Sequence, residues 1–242
     1  MKQLRINIDD FFKDLSFIEE THKYFVKGEP LKKSVSGLIH RYEFPTDWDK
    51  VLKQAAEKRG VTPEVEKARW KKEEDFGCAL GTETHLFAET YAVDRTLKPK
   101  TGHQKAVVNF WNDLPDFIVP LFLELKMYHK EIMFAGTADL IFYNTKTKQI
   151  TIGDYKTNKD LFKNFKRQRM QGPFGHLIDC PFNHYQLQLS YYQILLEQYL
   201  QDTDVKVVGR KLIYLKDSGD YEIYELDDYT EVLREELKLY GI

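Results

Sequence analysis

Two carboxylates and a lysine fall close together in the middle of this 242-residue chain: Asp139 in the run GTADLIFY, and Asp154 with Lys156 in ITIGDYKT. Side chains two apart on a strand point the same way, so Asp154 and Lys156 share a face. A hard cation such as Mg2+ takes one or two protein carboxylates and fills the rest of an octahedral shell with water and phosphate oxygens. Asp139 and Asp154 meet that demand if their strands are neighbours, and the backbone carbonyl of Tyr155 offers a third oxygen. Lys156 beside such an ion would orient or deprotonate an attacking water, or stabilise charge growing on a phosphoryl group. The D-x-K spacing alone also fits an ordinary solvated strand end. Glu131, on the strand expected before Asp139, points either toward the pair or away from it.

The elements that must carry these residues follow from periodicity. Residues rich in β-branched and aromatic side chains predict three consecutive strands at about 128–134, 137–144 and 149–155, the last two joined by the polar turn 144–148. Upstream, apolar residues return at helical steps from about 65 to 93 through Trp70, Phe76, Leu80, Leu86 and Phe87. His85 and Glu89 lie on that helix one turn apart, on one face. Gly81 just before them would let the helix approach the sheet closely. A second helix is expected around 105–114, limited by Pro115 and Pro120. YQLQLSYYQILLEQYL reads as a helix, VKVVGRKLIYL and DYEIYEL as strands about a DSGD turn, and TEVLREELKLY as a closing helix. The N-terminal part predicts a small hairpin turning near Gly28-Glu29-Pro30, then a short helix N-capped by Ser34 or Ser36, a terminus that also suits a phosphate. The expected fold is α/β, a single domain over 1–242 with a central mixed β-sheet flanked by helices. Its core spans about 65–216, with an N-terminal extension 1–64 and a C-terminal hairpin and helix 217–242.

Bulk properties narrow the partners. With 42% apolar residues the chain can bury one substantial core. It has no run of eighteen apolar residues and no secretory h-region, so a soluble cytoplasmic protein without membrane contact is expected. Cys78 and Cys180 lie in no zinc or CxxC spacing. A net charge of −2 excludes a uniformly basic coat, so any nucleic-acid contact needs a local patch. Residues 156–169 supply one: Lys156, Lys159, Lys163, Lys166, Arg167 and Arg169 against the single acid Asp160. This is either a solvated face or a phosphate grip. Phe162, Phe165 and Phe174 interleave with it and suit stacking on bases or packing of the loop. The following segment, with Gly172, Pro173, Gly175 and Pro181, reads as a lid or clamp.

Taken in chain order, four motifs resemble the PD-(D/E)xK nuclease superfamily, in its RecB-like and phage-exonuclease branch. They are Gly81-Thr82 with His85 and Glu89, then Gly136-Thr137-Ala138-Asp139, Asp154-Tyr155-Lys156-Thr157, and Gln188-Leu189-Ser190-Tyr191-Tyr192. The likeness covers roughly 80–200, and SVSGL near residue 34 resembles a segment of related phage nucleases. Ala138 stands where the family label has proline, but the acid supplies the chemistry. The resemblance implies a restriction-endonuclease-like core and Mg2+, with Mn2+ able to substitute. It implies that His85, Asp139, Asp154 and the Tyr155 carbonyl hold metal and that Lys156 is catalytic with the acids. Glu89 then serves in the site or as a support to a ligand. Gln188 and Tyr192, with Lys159, Lys163, Lys166, Arg167 and Arg169, would hold DNA. The implied activity is a metal-dependent deoxyribonuclease, an exonuclease acting on single- or double-stranded linear ends in recombination, replication or repair, with a single-strand-annealing or recombination protein as companion. An endonuclease acting on DNA or RNA, and a nucleic-acid-binding module without catalysis, are the alternatives.

Overall fold

Three antiparallel strands, each long enough to cross the molecule, organise the structure, a computed structural model describing residues 1–164 and 167–239. The chain opens with helix α1 (Lys2–Phe12), which buries Ile8 and Phe12. The strands β1 (Leu15–Ile18), β2 (Lys23–Val26) and β3 (Glu29–Pro30) follow and form a small antiparallel sheet. The β2–β3 turn is made by Lys27 and Gly28, both at positive φ, near the expected Gly28-Glu29-Pro30 corner. Next come β4 (Lys33–Ser34) and α2 (Val35–Ile39), whose Ser34 Oγ accepts from the Gly37 amide as an N-cap. Helices α3 (Trp48–Arg59) and α4 (Pro63–Val93) pack as a pair, tied by the buried Glu66 carboxylate to Arg59, Arg69 and Trp70. Helix α5 (Gly102–Asn112) is capped by Thr101.

Strands β5 (Ile118–Tyr128), β6 (Phe134–Asn144) and β7 (Gln149–Lys156) then form an antiparallel meander. Helix α6 (Pro181–Leu200) crosses back, so β8 (Lys206–Leu215) lies parallel to β7, and β9 (Tyr221–Glu225) pairs antiparallel with β8. Helix α7 (Thr230–Leu239) closes the described chain. The result is a single α/β domain: a six-stranded mixed sheet with helices on both faces. On one face α6 sets Leu187, Ile194 and Leu195 against Ile141, Ile150, Ile152 and Leu212, joined by α1, α2 and α7. On the other, Phe87 and Tyr91 of α4 and Phe110 and Trp111 of α5 meet Leu140, Phe142, Tyr155 and Ile213. Each fully buried leucine or isoleucine of these layers contributes about 1.5–3 kcal/mol.

One strand differs from expectation. Residues 129–133 are a turn, with His129 accepting from and donating across it and Met133 at positive φ, and the strand lies earlier, at Ile118–Tyr128. Pro120 did not end the preceding structure. It sits inside β5, opposite Phe142, at a register shift between Pro120 and Phe122, a place where strands tolerate proline. The N-terminal extension is built into the same core, since β4 pairs parallel with β6 and Ile8, Phe12, Val35 and Leu38 share the α6-side cluster. Among the described residues no helix is long and apolar enough to cross a membrane.

Candidate metal centre

The site forms where β6 changes partners. Along one edge of β6, β7 takes residues 140–144 and β4 takes 134–135, so the intervening stretch 136–139 has no strand partner on that edge. Asp139 sits at this fork. Its Oδ2 accepts from the amide of Tyr155 (2.8 Å), replacing the ladder bond that would come next. On the other edge, Leu123 pairs with Leu140 and Leu125 with Ala138, which sets Glu124 opposite Asp139. Glu124 holds φ +50, an unfavourable backbone state for a residue with a Cβ. Extending the β6–β7 register by one residue sets Asp154 opposite Asp139 as well, so three neighbouring strands bring three acids into a row.

Helix α4 adds His85. Its Nδ1 lies 3.4 Å from Asp139 Oδ2 and 3.9 Å from Glu124 Oε1, and its Nε2 lies 3.2 Å from the Tyr155 carbonyl oxygen. His85, Glu124 and Asp139 each offer a ligand atom within 4.8 Å of the others. Neighbouring ligands of an octahedral ion with bonds of about 2.1 Å lie about 3 Å apart, so this spacing fits a small divalent cation. Asp154 stands apart from that trio because Lys156 Nζ forms an ion pair with its Oδ2. Beyond this pair, Asp154 Oδ2 has no hydrogen-bond partner among the described residues, although the residue is almost wholly buried.

The electrostatics follow from burial and crowding. Burial and then Asp139 push the Asp154 carboxyl up to about 6, and Asp139 is itself raised by burial against the pull of His85 and Lys156. Burial opposes charge on His85, but Asp139 and Glu124 outweigh it and carry the imidazole up to about 9. Lys156 behaves likewise: burial disfavours its charge, and Asp154 and Asp139 more than restore it. A cluster of acids held together only by protons and a lysine is short of positive charge, which a cation would supply.

Helix α6 lines the far side. Gln188 Nε2 donates to Tyr192 Oη (2.7 Å), and the two rest where β6 is unpaired. A Cβ on Gly136 would lie 2.6 Å from Tyr192 Cε1 and 2.8 Å from Val35 Cγ2, so the ring is seated against bare backbone. Tyr24 from β2 reaches the same place, its hydroxyl 2.9 Å from Thr137 Oγ1. Tyr185, one helical turn before Gln188, lays its ring 4.7 Å from Lys156 Nζ and donates its hydroxyl to Asn158 Oδ1 (2.8 Å). The ammonium is thus held between a carboxylate and an aromatic face.

Sequence reasoning therefore brought together His85, Asp139, Asp154, the Tyr155 carbonyl, Lys156, Gln188 and Tyr192, and it missed Glu124, Tyr185 and Tyr24. An acid inside the apolar run VPLFLELKMY was the available signal for Glu124. Glu131 belongs elsewhere: it lies in the 129–133 turn and lines a groove with His129, Lys130 and Arg234. Glu89 is exposed and makes no hydrogen bond or ion pair among the described residues; the same turn of α4 buries Phe87, Ala88 and Tyr91 against the sheet and leaves Glu89 on its outer side. A Cβ on Gly81 would meet Thr157 Oγ1 at an ordinary 3.9 Å, so a close helix approach is not what this glycine provides. Lys159, Lys163, Arg167 and Arg169 are exposed, and Lys166 and Phe165 lie outside the described residues. Phe174 is fully buried and packs its ring on Tyr42 and Tyr229. The expected lid is pinned: Gln171 N donates to Tyr42 O, Asp179 Oδ2 accepts from Phe44 N, and Asp179 Oδ1 meets His184 Nε2 (2.6 Å). No protein-family model and no curated protein matches this sequence, so the geometry stands on its own.

Proposed function

We propose that the chain is a divalent-metal-dependent nuclease that hydrolyses DNA phosphodiester bonds and works from strand ends. The observation that carries this reading is the convergence of His85 from α4, Asp139 from β6, and Asp154 and Lys156 from β7 on one largely buried cluster. The four ordered motifs of the PD-(D/E)xK resemblance support nuclease chemistry and suggest DNA over RNA, and they do not choose between exonuclease and endonuclease. His85, Glu124, Asp139 and the Tyr155 carbonyl would hold Mg2+ or Mn2+, with Asp154 beside them. Such an ion, when bound, polarises a phosphoryl oxygen and lowers the pKa of a water near it.

The chain's own groups account for the rest. Asp154 and Asp139 favour the charged form of Lys156 in the metal-free chain, which suits it to orient the attacking water or to stabilise charge on a phosphoryl oxygen. Tyr185 and Asp154 fix where that ammonium points. Gln188 and Tyr192 line the approach to the fork, and the exposed Lys159, Lys163 and Arg167 can meet backbone phosphates, whereas Arg169 Nη1 already donates to the His176 carbonyl (2.6 Å). A sequence with two cysteines far apart and outside any zinc spacing suits a reducing cytoplasm.

The test is degradation of end-labelled linear and covalently closed circular DNA, single- and double-stranded, with Mg2+ or EDTA, for wild type and Lys156→Ala. The expected result is metal-dependent loss of linear DNA alone, abolished in Lys156→Ala. Cutting of circles would replace the exonuclease reading with an endonuclease, and no cleavage of any substrate with any metal would overturn the enzymatic reading.

A further inference from the structure

Just beyond the metal centre, the chain that leaves β7 presents the ring of Phe162, which lies outside both core clusters. Leu161 is buried and its carbonyl accepts from the Phe182 amide (2.9 Å), which fixes this segment to the first turn of α6. The Asp160 carboxylate accepts from the Phe162 amide (2.9 Å) and turns the next side chain outward. Phe162 is 54% exposed, although it is one of the largest apolar side chains in the molecule. One edge of its ring rests on Phe182 (centroids 4.9 Å apart, planes 36° apart) and on Tyr224 of β9 (5.8 Å). Burying that ring fully would stabilise the fold, so an outward ring with rigid aromatic backing suits a planar partner.

Charge and position identify the partner. Lys159 and Lys163 flank Phe162, are exposed, and enter no ion pair among the described residues. Nearby, Lys216 pairs with Glu222, which also accepts from Tyr224 Oη, and Asp160, the one acid of the segment, is turned to the Phe162 amide. Phe182, Tyr185, Gln188 and Tyr192 fall within about a third of the circumference of α6 at 100° per residue. That flank leads from the fork at Gly136, past Lys156, to Phe162. Phe182 is three residues from Tyr185, about 4.5 Å along the helix axis, against about 3.4 Å between stacked nucleotides of one strand.

We propose that Phe162, backed by Phe182 and Tyr224 and flanked by Lys159 and Lys163, is a stacking site for an unpaired base of the substrate strand, within one or two nucleotides of the phosphate at the metal centre. The inference rests on the nuclease reading and adds to it that the strand is held single-stranded there. An aromatic face accepts any base, so the site selects for an unpaired strand and not for sequence.

The experiment measures binding of single-stranded oligonucleotides carrying 2-aminopurine at each of the first four positions from either end, using Phe162→Ala and Phe162→Tyr, each with and without Lys156→Ala to remove turnover. The expected result is an affinity loss of about 5- to 150-fold in Phe162→Ala, recovery in Phe162→Tyr, and fluorescence quenching at one position that disappears only in the alanine variant. Unchanged affinity and quenching in Phe162→Ala, with an unaltered melting temperature, would overturn the stacking site while leaving the nuclease reading intact. Full cleavage by Lys156→Ala would count against the proposed catalytic centre alone, and absence of any single-strand binding by the wild-type chain would overturn the stacking site.

Discussion

The metal binding proposed for this centre would release protons, and their number would depend on pH. In the metal-free chain His85 titrates at about 9 and Asp154 at about 6. An ion that takes an imidazole nitrogen must displace the His85 proton at any pH below about 9, and below about 6 a second proton must leave Asp154. At 1.36 kcal/mol per pH unit, the His85 proton costs the ion about 2.7 kcal/mol at pH 7 and about 1.4 kcal/mol at pH 8. Apparent Mg2+ affinity should therefore rise about tenfold per unit between pH 6.5 and 8.5, and more steeply below pH 6. The metal-free fold moves the other way. The raised His85 value stabilises it fully below pH 6.5, and that contribution is lost as pH rises through about 9. Asp154, raised above its ordinary 3.8, adds a penalty as pH rises through about 6. The gain in melting temperature given by Mg2+ should thus widen from pH 6.5 to 8.5, and calorimetry in two buffers of different ionisation enthalpy should count close to one proton released per ion at pH 7.5. A Mg2+ affinity that is flat over this range, or a slope that persists in His85→Ala, would refute the reasoning.

Glu124→Gln removes a carboxylate 3.9 Å from His85 Nδ1. It should weaken Mg2+ binding about 10- to 100-fold and move the His85 titration down toward 6.5, both readable by calorimetry and by NMR of the imidazole; unchanged values would remove Glu124 from the centre. Gly136→Ala places a methyl 2.6 Å from the Tyr192 ring and 2.8 Å from Val35. Overpacking of this kind costs about 1–3 kcal/mol, to be measured by urea denaturation, and a stability equal to wild type would show that Tyr192 is not seated as described.

The sequence made Asp139, Asp154 and Lys156 visible because their geometry is local: two strands, a short turn and an i, i+2 spacing determine it. His85 came from its place among four ordered motifs, since nothing in a lone helical histidine distinguishes a ligand from a packing residue. Glu124 stayed hidden for a different reason. Its role exists only through the β5–β6 register, and that register was lost when the turn at 129–133 was taken for strand. The run HKEIMF has the composition of a strand, but His129 caps the turn and Met133 adopts positive φ, choices made by hydrogen bonding and not by hydropathy. Tyr185 was equally out of reach, because its contact with Lys156 depends on how α6 lies across β7. The glycines and prolines of 172–181 suggested motion, whereas Asp179 and Gln171 bind that segment to residues 42–44 through contacts more than a hundred positions away in sequence.

The fork that holds Asp139 also sets when activity can appear during folding. One arm of it, β4, comes from residues 33–34 and meets β6 in parallel at residues 134–135, a separation of about a hundred positions whose closure is entropically slow. The meander β5–β7 can form from neighbouring segments, but the recess that holds Tyr192 and Val35 against Gly136 is incomplete until the first thirty-five residues have docked. On a ribosome those residues emerge first and wait for their partner strand. A chain still being made is therefore a chain without a finished centre, and whatever that centre acts on is beyond the reach of a nascent or partly folded copy by topology alone.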